Sequence, residues 1–280
     1  MNATHERISS LPKSRLIASG EGWAVSDIVC TAGPRDRPFE EGHTHTSIAI
    51  VVGGTFQYRS STGRGLMTPG SWLLGIPGES FTCGHDHGIG DRCVAFSYVP
   101  EFFDRLAYDT WGHSIRFKVP RLPPVRALAP LVAKASTILA GADPIVCEEL
   151  SVRVAARAIE VAQRVQPSRA GSAQSSCARV ARVVRMIENE DDLPHDLNSL
   201  AVVARLSPYH FLRTFEEVTG TTPHQYLIRV RLRRAAILLR SEPTRISDIA
   251  LRCGFGDISN FNRTFRAEFG VNPRTYRSMA

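Results

Sequence analysis

The sequence lacks any long run of apolar residues. No stretch of its 280 residues approaches the roughly 18 consecutive apolar side chains that a membrane-spanning helix needs. The first twenty residues, MNATHERISSLPKSRLIASG, also lack the continuous apolar core of a secretory signal peptide. Hydrophobic residues make up 43% and charged residues 22%, as in ordinary soluble proteins. We therefore expect a cytoplasmic protein with no membrane partner.

The motifs of several enzyme classes are missing as well. The sequence contains no recognisable Ser/His/Asp arrangement and no cysteine-nucleophile motif. Its paired glycines, Gly53-Gly54 and Gly63-x-Gly65, are too sparse to cradle a phosphate and fit turns better. The six cysteines are scattered without secretory context, which favours free thiols or metal ligands over disulfides. No catalytic residue is predicted.

Lysine is nearly absent although the chain is basic. Only Lys13, Lys118 and Lys134 occur among 34 basic residues, and the formal net charge is +7. Arginine makes bidentate contacts with phosphates and guanine edges, so the use of arginine instead of lysine suits binding to nucleic acid. The excess of basic residues alone is only weak support for such binding. Residues 177–280 hold 16 arginines against 11 acidic residues, so most of the net charge lies there.

The first part of the chain, residues 1–122, is predicted to form a β-barrel. Within residues 23–98, the segments SIAIVVGG, TFQYRS, SWLLGIPG and RCVAFSYV are short β-branched or aromatic runs separated by glycine and proline. Such spacing is typical of a small barrel or sandwich.

Two amphipathic helices are predicted over residues 123–165, separated by a break at residues 141–144. Their apolar positions recur every three or four residues, as on one face of a helix. This face is expected to pack either on the barrel or against a second copy of the chain, which would make a homodimer. The small, polar segment QPSRAGSAQSS at residues 166–176 is interpreted as a linker. The stripe residues are Leu128, Leu131, Val132, Ala135, Ile138 and Leu139, then Leu150, Val154, Ala158, Ile159, Ala162 and Val165.

One pattern occurs twice in the last third of the sequence. Residues 213–226 read RTFEEVTGTTPHQY and residues 263–276 read RTFRAEFGVNPRTY, so Arg, Thr, Phe, Gly, Pro and Tyr recur at identical offsets. A helical phrase with a small residue precedes each copy, with Ala201 in one and Ala250 in the other. These alanines are 49 rather than 50 positions apart, which predicts connecting turns that differ by one residue. The chain is predicted to contain one structural unit twice.

Each unit is interpreted as a helix-turn-helix. Ser207 before Pro208, and Asp257 after a glycine-rich turn, are typical residues at a helix start. A helix predicted over residues 225–240 would hold the units at a fixed separation, and a spacing of roughly 34 Å places two helices in successive major grooves. Some helix pairs of this shape only pack together and bind nothing. Here the duplication, the matching Arg213 and Arg263 and the basic charge favour DNA binding. The inward-facing aromatic residues are Phe211, Phe215, Phe261 and Phe265.

These motifs resemble the DNA-binding domain of the AraC/XylS family of transcription regulators. The similar segments include SPYHFLRTFE, GTTPHQYL, ISDIALRCGFGDISNFNRTFR and FGVNPRTYR, and the resemblance covers about residues 179–277. It implies an all-α domain of seven helices with two helix-turn-helix units that grip adjacent major grooves. It also implies a regulator that works with RNA polymerase and a location at the nucleoid.

The resemblance implies which residues read the bases. Arg213 and Arg263 suit guanine and Asn262 suits adenine. Leu212 and Ile258 suit a thymine methyl group, although either could instead be half-buried packing. The backbone amides at Ser207 and Asp257 can face phosphates. The implied base-reading positions are Tyr209, Leu212, Arg213, Ile258, Ser259, Asn262 and Arg263.

A group of histidines and cysteines lies in the predicted barrel. Alternate residues of a strand share a face, so His43 lies with His45, and Cys83 lies with His85 and His87. Imidazole and thiolate together suit Zn²⁺ or another transition metal. Cys93 is the weakest candidate because RCVAFSYV fits a strand in which cysteine acts as a small apolar residue. The same residues could instead be polar strand ends without a ligand, or could line a pocket for an organic effector.

The region also resembles a cupin barrel, which many members of this family carry as an effector domain. The match consists of His43-x-His45 followed by Pro77-Gly78 and then Cys83. The acidic ligand of metal-dependent cupin enzymes would fall on Ala49, which argues against an enzymatic metal centre.

The predicted fold is therefore multidomain, with a cupin-like β-barrel and helical pair followed by an all-α domain with two helix-turn-helix units. The predicted function is a sequence-specific DNA-binding transcription regulator whose barrel responds to a small-molecule or metal effector. The alternatives are a metal or thiol sensor and, in a different class, a cupin metalloenzyme fused to a DNA-binding domain.

Overall fold

The N-terminal half of the protein is built from two antiparallel sheets. The computed structural model describes residues 12–85, 88, 90–165, 173–189 and 196–279. The strands in that part of the chain are β1 Lys13–Gly20, β2 Trp23–Cys30, β3 Phe39–Gly42, β4 Thr46–Gly54, β5 Phe56–Ser60, β6 Gly63–Met67, β7 Trp72–Gly75, β8 Ser80–Gly84, β9 Asp91–Tyr98 and β10 Arg121–Leu122. The larger sheet has the order β1-β2-β9-β4-β7-β10, and the smaller has the order β3-β8-β5-β6.

The apolar run of β4 is continuous because both of its faces are buried. Ile48 and Ile50 belong to the core between the larger sheet and the helices that cover it. Ala49 and Val51 belong to a second core, shared with Tyr58 and other residues of the smaller sheet. Successive strand residues point to opposite faces, so one strand contributes to both cores. This arrangement confirms the sheet-based N-terminal domain.

Three helices follow or interrupt the strands and cover the larger sheet. They are α1 Pro100–Trp111, α2 Ala129–Thr137 and α3 Pro144–Ala162. Helix α3 begins where Asp143 accepts a hydrogen bond from the Ile145 amide and Pro144 takes the first helical position.

The apolar stripes of α2 and α3 pack within the chain. Leu128, Leu131, Leu150 and Ile159 are buried in the core that these helices form with the larger sheet. Two partners were considered for these stripes, the barrel and a second copy of the chain. The stripes pack on the barrel, so they are buried and do not offer an exposed surface for a dimer interface. The larger sheet of the same chain offers an apolar surface to both helices, so their apolar stripes are buried without a second molecule. Homodimerisation itself stays a prediction.

The structure also corrects several element boundaries. Strand β1 lies in the predicted barrel but precedes residues 23–98, where the strand segments were identified. Most of its residues are exposed, so it lacks the apolar alternation that marks a half-buried strand. Helix α1 was not predicted. The linker assignment is wrong at its end, because helix α4 Gln174–Asn189 already includes residues 174–176. Residues 166–172 of that linker lie outside the described residues.

The C-terminal domain is helical, as predicted. After α4, the described residues form α5 Leu197–Ala204, α6 Pro208–Thr219, α7 Pro223–Ser241, α8 Ile246–Arg252, α9 Ile258–Phe269 and α10 Pro273–Ser278. Together with α4 these make the seven helices that the family resemblance implies. No helix in the described part of the chain is long and apolar enough to cross a membrane.

The repeated pattern has a structural explanation at each shared position. Gly220 and Gly270 end α6 and α9 with φ values of 78° and 80°, which glycine adopts without strain. Pro223 and Pro273 are the first residues of α7 and α10. These prolines each follow a capping residue, Thr222 or Asn272, whose side chain accepts an amide hydrogen bond.

The repeated aromatic residues form matching contacts. The ring centroids of Phe215 and Tyr226 are 5.8 Å apart, and those of Phe265 and Tyr276 are 5.3 Å apart. Both pairs meet edge to face, which is a favourable geometry for aromatic rings. The residues that the two copies share are therefore those that pack the core of each unit and those that reverse the chain direction.

The two domains are packed directly against each other. Ala133 of α2 is fully buried in the core of the second unit, with Leu232 and Phe261. Leu66 of β6 is buried in the core of the first unit. Each helix-turn-helix unit therefore shares apolar contacts with the N-terminal domain.

Candidate nucleic-acid interface

The first helix-turn-helix unit consists of α5 and α6. Arg205 ends α5 in the left-handed conformation with φ 55°, and the amide of Leu206 donates to the carbonyl of Ala201 at 3.0 Å. Helix α6 then starts at Ser207, whose side chain accepts from the amide of His210 at 3.4 Å. The predicted start of the second helix is confirmed by this cap.

The second unit, α8 and α9, repeats the turn with one more residue. The amide of Phe255 donates to the carbonyl of Ala250 at 3.0 Å, which matches the bond to Ala201 in the first unit. Gly254 takes the left-handed position with φ 78°, where the first unit uses Arg205. Asp257 accepts from the amides of Ser259 and Asn260 at 3.0 and 2.8 Å, so it caps α9.

The predicted DNA-contacting side chains lie on the outer faces of α6 and α9. Tyr209 is 66% exposed and Ile258 is 41% exposed, whereas Leu212 is half-buried. Two interpretations of Leu212 were considered, contact with a thymine methyl group and half-buried packing, and its position fits half-buried packing. The remaining predicted residues are exposed: Ser207, Arg213, Asp257, Ser259, Asn262 and Arg263.

The two matching arginines are oriented by neighbours on their own helices. The Arg213 guanidinium lies 5.9 Å from the centre of the Tyr209 ring, a cation–π contact. Arg263 donates to the side-chain oxygen of Asn260 at 3.1 Å. Both guanidinium groups remain exposed, so each keeps donors for a partner.

Sequence reasoning missed two arginines beside α9. Arg266 and Arg274 line an open depression of about 950 Å³ together with Ile258, Asn262 and Arg263. Arg266 lies three residues after Arg263, so the helical period could have placed it on the same side of α9. A concave, exposed surface with three arginines suits the phosphates of a nucleic acid.

Other arginines of this domain are structural. Arg179 donates to the carbonyls of Ala204 and Arg205 at the end of α5, at 3.1 and 2.7 Å. Nη2 of Arg233 donates to both carboxylate oxygens of Glu188, at 2.8 and 2.7 Å. The positive charge of residues 177–280 therefore serves internal contacts as well as an outer surface.

The barrel encloses a separate cavity of about 270 Å³ between the two sheets. Its wall includes Ala49, Phe81 and four of the predicted metal-ligating residues, namely His43, His45, Cys83 and Cys93. The ring of His43 stacks on Phe81 at 4.2 Å, and its Nε2 shares a hydrogen bond of 2.9 Å with the Tyr58 hydroxyl. Burial lowers the pKa of His43 to about 4, so this imidazole is neutral at neutral pH.

A second polar group lies at the edge of the barrel. His85 Nε2 and Asp91 Oδ2 are 2.5 Å apart, and Cys93 donates to the other Asp91 oxygen at 3.6 Å. Burial opposes the charged form of His85, but its hydrogen bonds to Asp91 and Cys30 raise the pKa to about 9. Burial also raises the pKa of the Cys83 and Cys93 thiols, so both are protonated at neutral pH.

The predicted metal ligands that the structure describes do not converge as one set. Among the residues that the structure describes, the ligand atoms within 4.8 Å of one another belong to Cys30, His85 and Asp91. Of these three residues, only His85 belongs to the predicted set of ligands. His45 is exposed and bonds to Thr44 instead, at 2.8 Å. His87 lies outside the described residues.

A thiol, an imidazole and a carboxylate fit a borderline-soft ion such as Zn²⁺. The group would leave a fourth position of a tetrahedral ion open. Cys30 escaped the metal-ligand prediction because it comes from β2, far from His85 along the chain, and meets Asp91 of β9 only through the sheet register.

Comparison with known proteins supports the C-terminal assignment. A family of helix-turn-helix domains matches residues 200–279. The chain is 37% identical over 110 residues to the HTH-type transcriptional activator RhaS of Klebsiella pneumoniae, which covers 39% of this chain and 40% of that protein. The chain thus spans well under half the length of this relative.

Solved structures give similar coverage. An AraC-type regulator from Chromobacterium violaceum is 29% identical, with 38% of this chain and 95% of that chain covered and a TM-score of 0.35. The DNA-binding domain of AdpA, solved with a target DNA, is 32% identical over 36% of this chain and 91% of that chain, with a TM-score of 0.34.

The paired helix-turn-helix units with their exposed polar faces, and the relatives that match this part of the chain, define a helix-turn-helix domain of the kind found in DNA-binding transcription regulators. Over residues 200–279 the chain is similar to that helix-turn-helix family and to HTH-type transcriptional activators.

Proposed function

We propose that the protein recognises a specific DNA sequence with both helix-turn-helix units and that its N-terminal barrel responds to an effector. The observation that carries the proposal is the matching exposure of polar side chains on α6 and α9, each held by a capped helix start. Arg213, Arg263 and Asn262 offer the donors and acceptors that read guanine and adenine. A cytoplasmic location, a homodimer and contact with RNA polymerase belong to the same proposal.

Arg263→Ala tests base readout. The DNA sequence that the wild-type protein selects from a random pool would be compared with single-base variants, using electrophoretic mobility shifts. We expect the substitution to cost about 1–3 kcal/mol on the selected sequence and little on variants that change one particular base pair. Arg116→Ala, an exposed arginine of the N-terminal domain, serves as the control. An equal loss on every sequence would mean that Arg263 contacts only phosphate.

Salt dependence tests DNA binding itself. Several phosphate contacts predict that affinity for random DNA falls steeply as salt rises. Binding that is absent or insensitive to salt would contradict the proposal.

The direct packing between domains supports a route from effector to DNA. Helix α2 meets the second unit through Ala133, and β6 meets the first unit through Leu66. An effector that binds one domain arrangement more tightly shifts the population by its differential affinity. We propose regulation without catalysis, since an alanine, Ala49, lines the barrel where a metal-dependent cupin enzyme would carry a carboxylate.

A second candidate is a metal-responsive or thiol-responsive regulator, favoured by the Cys30, His85 and Asp91 group. Elemental mass spectrometry of untagged protein, purified without chelator, tests it. We expect about one equivalent of zinc or another transition metal, lost in His85→Ala and kept in His113→Ala, an exposed histidine outside the group. Metal-free wild-type protein that still binds DNA would rule this candidate out and direct the effector search to organic molecules.

A further inference from the structure

Helix α7 carries one side chain that contacts both helix-turn-helix units. Nη1 of Arg229 donates to the hydroxyl of Thr221 at 2.7 Å, and Nε of the same guanidinium lies 3.4 Å from a carboxylate oxygen of Glu268. Thr221 comes directly after Gly220, which ends α6, and Glu268 lies in the last turn of α9. Arg229 therefore connects the end of α6 to the end of α9.

On the side of the first unit, the contact reaches α6 through a short series of hydrogen bonds. The Thr219 hydroxyl lies within hydrogen-bond distance of the carbonyl oxygens of Phe215 and Thr221, at 2.8 and 2.9 Å, and accepts from the Thr221 amide at 3.3 Å. Thr219 and Thr221 are both buried. Thr221 therefore moves together with the last turn of α6, and so does the Arg229 guanidinium that bonds to it.

On the side of the second unit, the contact is a buried ion pair. The side chains of Arg229 and Glu268 are only 17% and 8% exposed. Apolar residues of the N-terminal domain, Val125, Ala129 and Val132, line the space beside them. Among the residues that the structure describes, neither Nε of Arg229 nor Oε1 of Glu268 has a hydrogen-bond partner, so their contact is electrostatic. Burial raises the pKa of Glu268 and lowers the pKa of Arg229, as expected for charges held away from water.

Both units also pack on α7 through apolar side chains. Leu227 and Val230 belong to the core of the first unit, and Leu232 and Leu239 belong to the core of the second. Apolar burial is non-directional, so it holds the units on α7 without fixing the angle between them. The guanidinium of Arg229 presents its donors in a rigid planar fork, so its two polar contacts do fix that angle.

A small rotation of one unit is enough to change the DNA that both units can contact together. Helices α6 and α9 have 12 residues each, so each is about 18 Å long. A rotation of about 10° moves the far end of such a helix by roughly 3 Å. Neighbouring base pairs are about 3.4 Å apart along the DNA axis. If one unit could rotate by this amount, the protein would tolerate a change of one base pair between the two segments of its DNA site.

We propose that the contacts of Arg229 with Thr221 and Glu268 fix the angle between α6 and α9 and so determine which spacing between two base-contacted DNA segments the protein accepts. The proposal rests on the proposed function, in which both units contact one DNA molecule in major grooves about one helical turn apart. Arg229 is a positioning residue, because it acts through α6 and α9. Buried ion pairs add little net stability, and this one specifies a geometry.

DNA sites of different spacing test the inference with the full-length protein. Starting from the sequence that wild type selects, one base pair is inserted or removed between the two segments in which single-base changes weaken binding. In electrophoretic mobility shifts, wild type should bind both altered sites at least about tenfold more weakly, since a misplaced segment costs as much as mismatched base pairs.

The double variant Arg229→Met, Glu268→Met should lose this discrimination. Replacing both partners with apolar residues of similar volume keeps the buried space filled and leaves no unpaired charge, so the protein still folds. We expect it to bind the original site within about threefold of wild type, and the altered sites less than about threefold more weakly than the original.

A second ion pair of α7 provides the matched control. Arg252 donates to Glu242 at 2.6 Å and joins α8 to the end of α7, within the second unit. Arg252→Met, Glu242→Met should therefore keep the wild-type discrimination between spacings.

A distance measurement without DNA separates this inference from the proposed function. Spin labels are attached to His210→Cys and Ser259→Cys, at exposed positions near the starts of α6 and α9, while the six native cysteines are buried. Double electron–electron resonance should give a narrow distribution of distances between the labels. The distribution should broaden when Arg229→Met, Glu268→Met is added and stay narrow with the control pair.

Unchanged discrimination between spacings in Arg229→Met, Glu268→Met would overturn the inference, as would wild type that binds all three sites equally well. An equal loss of affinity on all three sites would overturn it too, because the contact would then only stabilise the fold. A label distribution that the double variant leaves narrow, in protein that binds DNA, would overturn the inference alone. Wild type that binds no DNA, with a distribution that broadens in the double variant, would overturn the proposed function and leave the geometric role of Arg229 standing.

Discussion

His43 is held between an aromatic ring and a glycine. Its ring stacks on Phe81 at 4.2 Å, and an added Cβ at Gly75 would lie 2.4 Å from that ring. This close fit removes water from the imidazole, and the resulting desolvation disfavours its charged form. Its packing therefore holds the imidazole of His43 in the neutral form at neutral pH.

The low pKa of His43 predicts how stability depends on pH. The folded pKa is about 4, below the ordinary value of 6.5, so the unfolded chain binds more protons between these values. The contribution is present above pH 6.5 and is lost as the pH falls towards 4. We expect about 1–3 kcal/mol of this loss to disappear in His43→Gln but persist in His113→Gln, measured by urea unfolding at several pH values. Identical pH profiles for wild type and His43→Gln would contradict the burial argument for His43.

At the scale of the element, the chain reversals after α6 and α9 are set by glycine. Gly270 has φ 80° and open space around the position of a Cβ, so only its backbone conformation restricts the residue. Gly256, in the turn before α9, also has open space but does not have positive φ. A Cβ would meet no steric crowding at either glycine, so the comparison of the two positions isolates the cost of a left-handed backbone at Gly270.

Substituting these glycines tests the repeated frame. Gly270→Ala should lower the free energy of unfolding by about 1–2 kcal/mol, because a Cβ is unfavourable in the left-handed region. Gly256→Ala should change it by less than about 0.5 kcal/mol. Denaturant unfolding of both variants measures this, and equal effects would show that the left-handed end of α9 is not what glycine provides there.

At the scale of the whole molecule, helix α2 joins the two domains. Its stripe residues pack on the larger sheet, while Ala133 on another side is buried among residues of α7, α8 and α9. A small residue at that position lets α2 approach α7 closely. One helix of the pair, for which packing on the barrel and a dimer seam were both considered, is thus the connection between the barrel and the second unit within one chain.

Overpacking this contact should loosen the interface. Ala133→Leu adds volume where no space exists, at a cost of about 1–3 kcal/mol, whereas Ala140→Leu adds the same volume at an exposed position. We expect faster hydrogen exchange in both α2 and α7 for Ala133→Leu and none of this change for Ala140→Leu. Unchanged exchange in α7 would mean that the second unit does not depend on α2.

The sequence by itself determined the features that depend on neighbours along the chain. Helix starts at Ser207 and Asp257 and the left-handed end at Gly270 follow from local sterics and hydrogen bonds, and their spacing identified two equal units. The strand β4 likewise follows from its continuous run of β-branched and other apolar residues.

Only the tertiary structure decided which distant residues meet. The register of β2 with β9 brings Cys30 towards His85 and Asp91, and the packing of domains brings Arg121 over Gly65 to the end of α6. Local pattern carries no information on such pairs, because each side chain is compatible with many partners until the sheets and helices close around a common core. For the same reason the apolar stripes of α2 and α3 could predict that they would be buried, but not against which surface.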